Sequence, residues 1–163
     1  QIKRMGCSMK IERTFDYDLI MSVIGMPEFD VCLEDGLTAS NYEPDKTSAW
    51  LLVTNNDDII SLTRLKPLNS IVLEVHPRVL AKHRSKYNKI AVIEMYKWVL
   101  EFASQYKKIN AEIPVIYPHL QRFMYSIGFS LEGVNRKSHI KNGEIVDKWV
   151  FGITQEELKK EVA

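Results

Sequence analysis

The chain has 163 residues, 45% of them hydrophobic and 26% charged, with a formal net charge of +1 at pH 7. Such values describe a soluble globular domain large enough to bury its own core, and exclude a disordered chain and a global basic field that recruits nucleic acid. Cys7 and Cys32 are the only cysteines; two cysteines make no disulfide framework and point to a reducing compartment, expected to be the cytoplasm.

No apolar run approaches the roughly 20 residues needed to cross a membrane, so no membrane partner is expected. Gln1 to Ser8 is expected to be an N-terminal extension or a cloning remnant, ahead of a single domain over residues 9–163. Met9 to Phe15 alternates around Ile11 and Phe15 and predicts a first strand. Asp16 can cap a helix with the stripe Leu19, Ile20, Val23 and Ile24, ending near Gly25 and Pro27. Glu28 to Lys46 is irregular, either a short helix or a long loop, and loops of that length in compact domains are usually functional.

Ser48–Thr54 reads as a buried strand, Asn55–Asp58 as a hairpin turn, and Ile59–Leu65 as the returning strand. Ile71 to His76 is a third strand that stops at Pro77, so the three form an antiparallel meander. A basic loop follows, and a helix runs from Ile90 (with Ile93, Trp98 and Phe102 on its stripe) to Lys107-Lys108. The strand Ile109–Ile116 can then lie parallel to the one at Ile71–His76, because a helix connects them. Pro118 opens another helix, Gly128 ends it, and strands at Phe129–His139 and Ile145–Ile153 are joined through Asn142-Gly143. Thr154 to Glu157 is a capping box for a terminal helix. The fold class is α/β: a mixed, mostly antiparallel central sheet with helices on both faces.

In this order, the segment Ile127-Gly128-Phe129-Ser130-Leu131-Glu132-Gly133-Val134, followed by Arg136-Lys137-Ser138, Asn142-Gly143-Glu144 and Asp147, resembles the GNAT superfamily of acyl-CoA N-acyltransferases. The pattern spans about Met9 to Thr154, and LEVHPRVLAKHR is most similar to small phage-encoded members. The resemblance implies a GNAT-type fold with acetyl-CoA in a cleft where two strands splay apart. Pantetheine would pair with backbone around Leu73 to Val75. The pyrophosphate would lie on a loop that matches Arg84-Ser85-Lys86-Tyr87-Asn88-Lys89, where Tyr87 and Lys89 replace the family's glycines. Tyr117 falls where many relatives have a cofactor-contacting Asn. Met124 falls where many have a tyrosine general acid, with Tyr125 as its neighbour.

From the residues themselves, strand alternation puts Val72, Glu74 and His76 on one face and Leu73 and Val75 on the other. Glu74 is a candidate general base for deprotonating an amine, or a carboxylate paired with Arg64 or Lys66. His76 is the residue type whose charge changes near neutral pH, or else a structural histidine bonded to backbone. Arg78, Lys82, His83, Arg84, Lys86 and Lys89 form the densest basic segment, either a phosphate cradle or a solvated loop. The four histidines are scattered and offer no metal spacing.

The expected function is therefore transfer of acetyl from acetyl-CoA to an amine, on a protein or a small molecule, by direct attack in a ternary complex. The alternative is a GNAT-fold protein without catalysis that binds a phage or host protein or serves in virion assembly. The chain is expected to be a monomer or homodimer, in host cytoplasm or a virion if phage-encoded.

Overall fold

The computed structural model describes residues 9–38 and 40–163; the expected extension at residues 1–8 lies outside them. Seven strands, β1 (Met9–Thr14), β2 (Ala49–Asn55), β3 (Asp58–Pro67), β4 (Val72–Val79), β5 (Lys108–Pro114), β6 (Ser130–Lys141) and β7 (Glu144–Thr154), form one sheet in the order β1-β2-β3-β4-β5-β7-β6. Every neighbouring pair is antiparallel except β4 and β5. Four α-helices flank it: α1 (Tyr17–Ile24), α2 (Arg84–Phe102), α3 (Pro118–Ser126) and α4 (Gln155–Val162), and a 3-10 turn covers Pro27–Cys32.

Local chemistry explains most boundaries. The Asp16 carboxylate accepts the Leu19 N–H at 3.0 Å and starts α1. Asn56 and Asp57 both have positive φ, the geometry of a two-residue hairpin between right-twisted strands. Thr154 and Glu157 close the expected capping box on α4. Gly128 has φ +94° directly after α3, a conformation that L side chains resist.

The sheet separates two cores. On one face, Leu73 and Val75 of β4 and Ile109 and Ala111 of β5 pack against Val92, Met95, Tyr96 and Val99 of α2, with α3 and α4 completing the layer. On the other, Ile20, Val23 and Ile24 of α1 cover Trp50, Leu52 and Leu62, together with Phe29. Among the described residues no helix is long and apolar enough to cross a membrane.

Three expectations need correction. First, β4 does not stop at Pro77; it runs on to Val79, with Pro77 opposite Thr63 of β3. Second, α2 begins at Arg84, six residues before Ile90, and ends at Phe102 instead of near Lys107. Nothing between Ser85 and Lys89 breaks a helix, and Tyr87 and Ala91, one turn apart, both bury against Val53, Ile60 and Val79. At the other end Lys108 opens β5 opposite Val72, so residues 103–107 must make the turn. Third, the helix stripe is rotated: Ile90 is 44% and Phe102 62% exposed, while Tyr87, Ala91, Val92, Met95, Tyr96 and Val99 face the sheet.

Candidate functional site

β4 and β5 are paired over only three positions, Val72–Lys108, Leu73–Ile109 and Glu74–Asn110. Beyond them β4 follows β3 as far as Ser61–Val79, while β5 follows β7 as far as Pro114–Lys148. The sheet therefore forks, and a cleft of about 620 Å³ opens between the prongs. Its walls include Val75 to Val79 of β4, Ala111 to Pro114 of β5, Arg84, Asn88, Val92 and Met95 of α2, Leu120, Phe123 and Met124 of α3, and Phe29, Val31 and Cys32 of the 3-10 turn.

Backbone parity shows what the β4 prong presents. The Val72 carbonyl accepts from Leu68 and the Leu80 N–H donates to Ile60, both on the β3 side. The Ile71 carbonyl accepts the Lys107 and Lys108 N–H groups on the β5 side. Strand alternation then directs the main-chain groups of Leu73, Val75, Pro77 and Val79 toward β5. Leu73 lies in the paired segment below the fork, whereas Val75 and Pro77 line the cleft. Pro77 is tolerated within β4 because the N–H it lacks falls on the prong that has lost its partner.

The basic segment is spread over several environments. Lys82 and His83 both contact Asp58, at 3.0 and 2.9 Å. Arg84 donates from Nε to the Val79 carbonyl at 2.9 Å and pairs through Nη2 with Glu28 at 3.6 Å; Glu28 also accepts the Ala81 N–H. Ser85, Lys86 and Lys89 are exposed, and the Lys86 ammonium lies 5.0 Å from the Tyr87 ring centroid. Tyr87 itself is buried, and its hydroxyl accepts from Asn55 Nδ2 at 2.9 Å. Residues 84–89 are thus the first turns of α2 instead of a loop, with Arg84 and Asn88 on the cleft side and Tyr87 turned into the core.

Glu74, His76 and Arg78 leave β4 on the face away from α2. His76 Nε2 is 2.7 Å from Glu74 Oε1. The His76 side chain is 40% exposed and lines the cleft, whereas Glu74 is 18% exposed and stands behind it. The hydrogen bond from His76 holds the Glu74 carboxyl below the usual range against the opposing effect of burial, with charge from His76, Lys66 and Lys148 adding to it. Of its two expected partners, Arg64 pairs instead with Asp45 at 3.1 Å, and Lys66, opposite Glu74 on β3, acts on it through its charge. An ionised Glu74 accepting from Nε2 leaves Nδ1 as the basic nitrogen of a neutral imidazole.

The two tyrosines part company. Tyr117, just before α3, lines the cleft and donates its hydroxyl to the Val31 carbonyl at 3.2 Å; burial, then the nearby Cys32, raises its pKa. Tyr125 is 50% exposed with its ring against Phe151, away from the cleft. Met124, its neighbour, supplies an apolar wall.

Sequence reasoning placed Asn88 on the cofactor loop but did not single out His139 or Cys32 as cleft residues, and it read Arg78 only as part of the basic segment, a phosphate cradle or a solvated loop. His139 is carried inward by an irregularity in β6 between Asn135 and His139, where Lys137 adopts φ +49°. Its Nε2 is buried without a partner among the described residues, and burial lowers its pKa. Arg78 is 7% exposed and has no hydrogen-bond partner at Nε or Nη1. The available signal was parity: Glu74, His76 and Arg78 alternate once the strand continues through Pro77. Among the described residues no group of three or more His, Cys, Asp or Glu side chains is placed to hold a metal ion.

No protein-family model and no curated protein sequence matches the chain. Solved structures do. A chimera of the spermidine N-acetyltransferase SpeG from Vibrio cholerae with hSSAT superposes with a TM-score of 0.76 at 14% identity, covering 93% of this chain and 98% of the other. Spermidine N-acetyltransferase from Vibrio cholerae in complex with CoA and spermine superposes at 0.73 with 15% identity, over 93% and 98% of the two chains. The forked seven-stranded sheet, its flanking helices and these superpositions together give this chain the GNAT-type acetyltransferase fold.

Proposed function

We propose that the chain is an acyl-CoA-dependent N-acetyltransferase, and the fork carries the proposal: an open cleft whose wall holds the Glu74–His76 pair. An amine nucleophile needs its proton removed as it attacks, and the departing thiolate needs one returned. His76, held in one tautomer by Glu74, is the base that faces the cleft; Glu74 is its positioning residue. Tyr117 is the phenol among the cleft's lining residues, and its hydroxyl, released from the Val31 carbonyl, would be the proton donor for the thiolate.

The residues present fit acetyl-CoA. Val75 and Pro77 offer main-chain groups to an amide-bearing arm, the apolar walls from α2 and α3 suit its methylenes, and the N-terminal end of α2 with Arg84 and Asn88 favours an anion. Bound there, acetyl-CoA supplies the thioester that the amine attacks. The complex of the Vibrio cholerae enzyme with CoA supports this reading by analogy of fold. A binding-only protein on this fold predicts a cleft plugged by Tyr87 and Tyr117; Tyr87 is turned into the core, and Tyr117 lines a cleft that keeps about 620 Å³ open. These solved structures lend no support to a phage origin or a virion role.

Isothermal titration with acetyl-CoA, followed by a free-thiol assay over an amine panel that includes spermidine, tests the proposal. Micromolar binding with amine-dependent CoA release is the expected result. No heat up to millimolar acetyl-CoA sinks it.

A further inference from the structure

Among the described residues, Arg78 is the one cation of the β4 polar face that meets no carboxylate. It lines the cleft at 7% exposure, and its Nε and Nη1 are both buried without a hydrogen-bond partner among the described residues. Among the described residues, the groups that act on it electrostatically are Cys32, Tyr42 and Arg64, none of them a carboxylate. The acids nearby are engaged: Asp45 with Arg64, Glu74 with His76, Glu28 with Arg84, and Glu112, which lines the cleft, with Lys148. A guanidinium with two of its nitrogens buried and unpaired is destabilising, so its place at the wall of a binding cleft calls for a ligand.

Placement says which part of the ligand. The helix-facing side chains of β4, Leu73, Val75 and Val79, pack toward α2, and Arg78 leaves by the opposite face, with Cys32 and Tyr42. It therefore leaves by the face that carries His76. Two residues along a strand separate their Cα atoms by about 7 Å, within the span of one amino acid. We propose that Arg78 receives a carboxylate of the acyl acceptor, so that the acceptor is a compact amino acid bearing both the reacting amine and an anion, not a polyamine. The inference rests on the acetyl-transfer reading above. A polyamine would bring several positive charges against Arg78, with Arg64 close behind, and no carboxylate of that cluster is left to receive them.

The experiment compares each protein L-amino acid with its own carboxamide, and with spermidine, as acceptor for acetyl-CoA, in the wild type, Arg78→Met and Arg78→Lys. At least one free acid should exceed its amide in kcat/KM by about 100-fold, since the amide leaves the guanidinium unpaired. Arg78→Met should collapse that ratio to about threefold or less while the acetyl-CoA Kd stays within about twofold, and Arg78→Lys, which keeps the charge but loses the bidentate fork, should fall between. Without ligand, Arg78→Met should melt no lower than the wild type, because it removes an unpaired buried charge. The same acid and amide pairs are also read by thermal unfolding without cofactor. Stabilisation by acids alone, lost in Arg78→Met, upholds the assignment even if acetyl-CoA fails to bind and the acetyl-transfer reading falls. Spermidine preferred over every amino acid, amides equal to acids in both readouts, or an acetyl-CoA Kd raised about tenfold in Arg78→Met each overturns it, the last by placing the anion on the cofactor.

Discussion

Arg84 and Arg78 are six residues apart, and the fold treats them in opposite ways. Arg84 sits at the start of α2, half exposed, with a backbone carbonyl and Glu28 to hold it. Arg78 sits inside β4, buried, with no such partner among the described residues. Arg64, across the sheet on β3, is a third case, buried in part but matched by Asp45 and Ser48. Local charge density ranks the segment around Arg84 first; the availability of the charge ranks Arg78 first. The lesson is that an ion-binding residue is recognised by what the fold fails to give it.

Several experiments break or sharpen this contrast. The largest effect is expected at the polar face itself: His76→Ala should lower kcat by about 100- to 10,000-fold with little change in acetyl-CoA affinity. Equal activity in that variant removes the base from His76. Glu74→Gln should act in the same direction but less strongly, through the imidazole it holds, and its pH–rate profile should change shape where a merely structural substitution would not move it. Next comes Tyr87→Ala, which removes a buried aromatic side chain and should cost about 3–5 kcal/mol of stability in chemical denaturation. Its acetyl-CoA Kd should stay near wild type below the melting transition, since Tyr87 belongs to the core and not to the cleft.

Arg84→Ala should weaken acetyl-CoA binding by less than about tenfold, because a half-exposed guanidinium shared with Glu28 contributes modestly. A loss far beyond that would make Arg84, not Arg78, the dominant anion receptor. The smallest effect concerns Asp45 and is read against pH. Hydrogen bonds from Thr47, then Ser48 and Arg64, hold the Asp45 carboxyl well below its ordinary 3.8. A folded value below the unfolded one adds stability that is fully present above the unfolded value and is lost as pH falls through the folded one. Asp45→Asn should therefore flatten the acid side of the stability profile while leaving Arg64, like Arg78, without a carboxylate. An unchanged acid limb would mean that Asp45 does not govern it.

Much of the fold was legible because its signals are local. Asp16, the Asn56-Asp57 turn, Gly128 and the Thr154–Glu157 box each act within a few residues, and each does what its chemistry predicts. The alternation of Leu73 and Val75 against Glu74 and His76 was equally readable, since a strand has a period of two. The start of α2 was not, because its first turns are basic and polar and are drawn into the helix by Tyr87 and Ala91 packing on β2 and β3. Nor was the reach of β4, because proline in a strand reads as a stop unless one knows which neighbour is missing.

By itself the sequence determined the order and type of the elements, the two faces of β4, and the pairing of helix and strand signals that makes a mixed sheet. These follow from propensities and periodicities that need no partner. Only the tertiary structure decided which residues face the fork: it set His76 forward and Glu74 behind it, turned Tyr87 inward, left Tyr125 outside, and buried Arg78 unpaired. Those outcomes depend on which surfaces meet across long stretches of chain, and burial and pairing are properties of that meeting rather than of any residue alone.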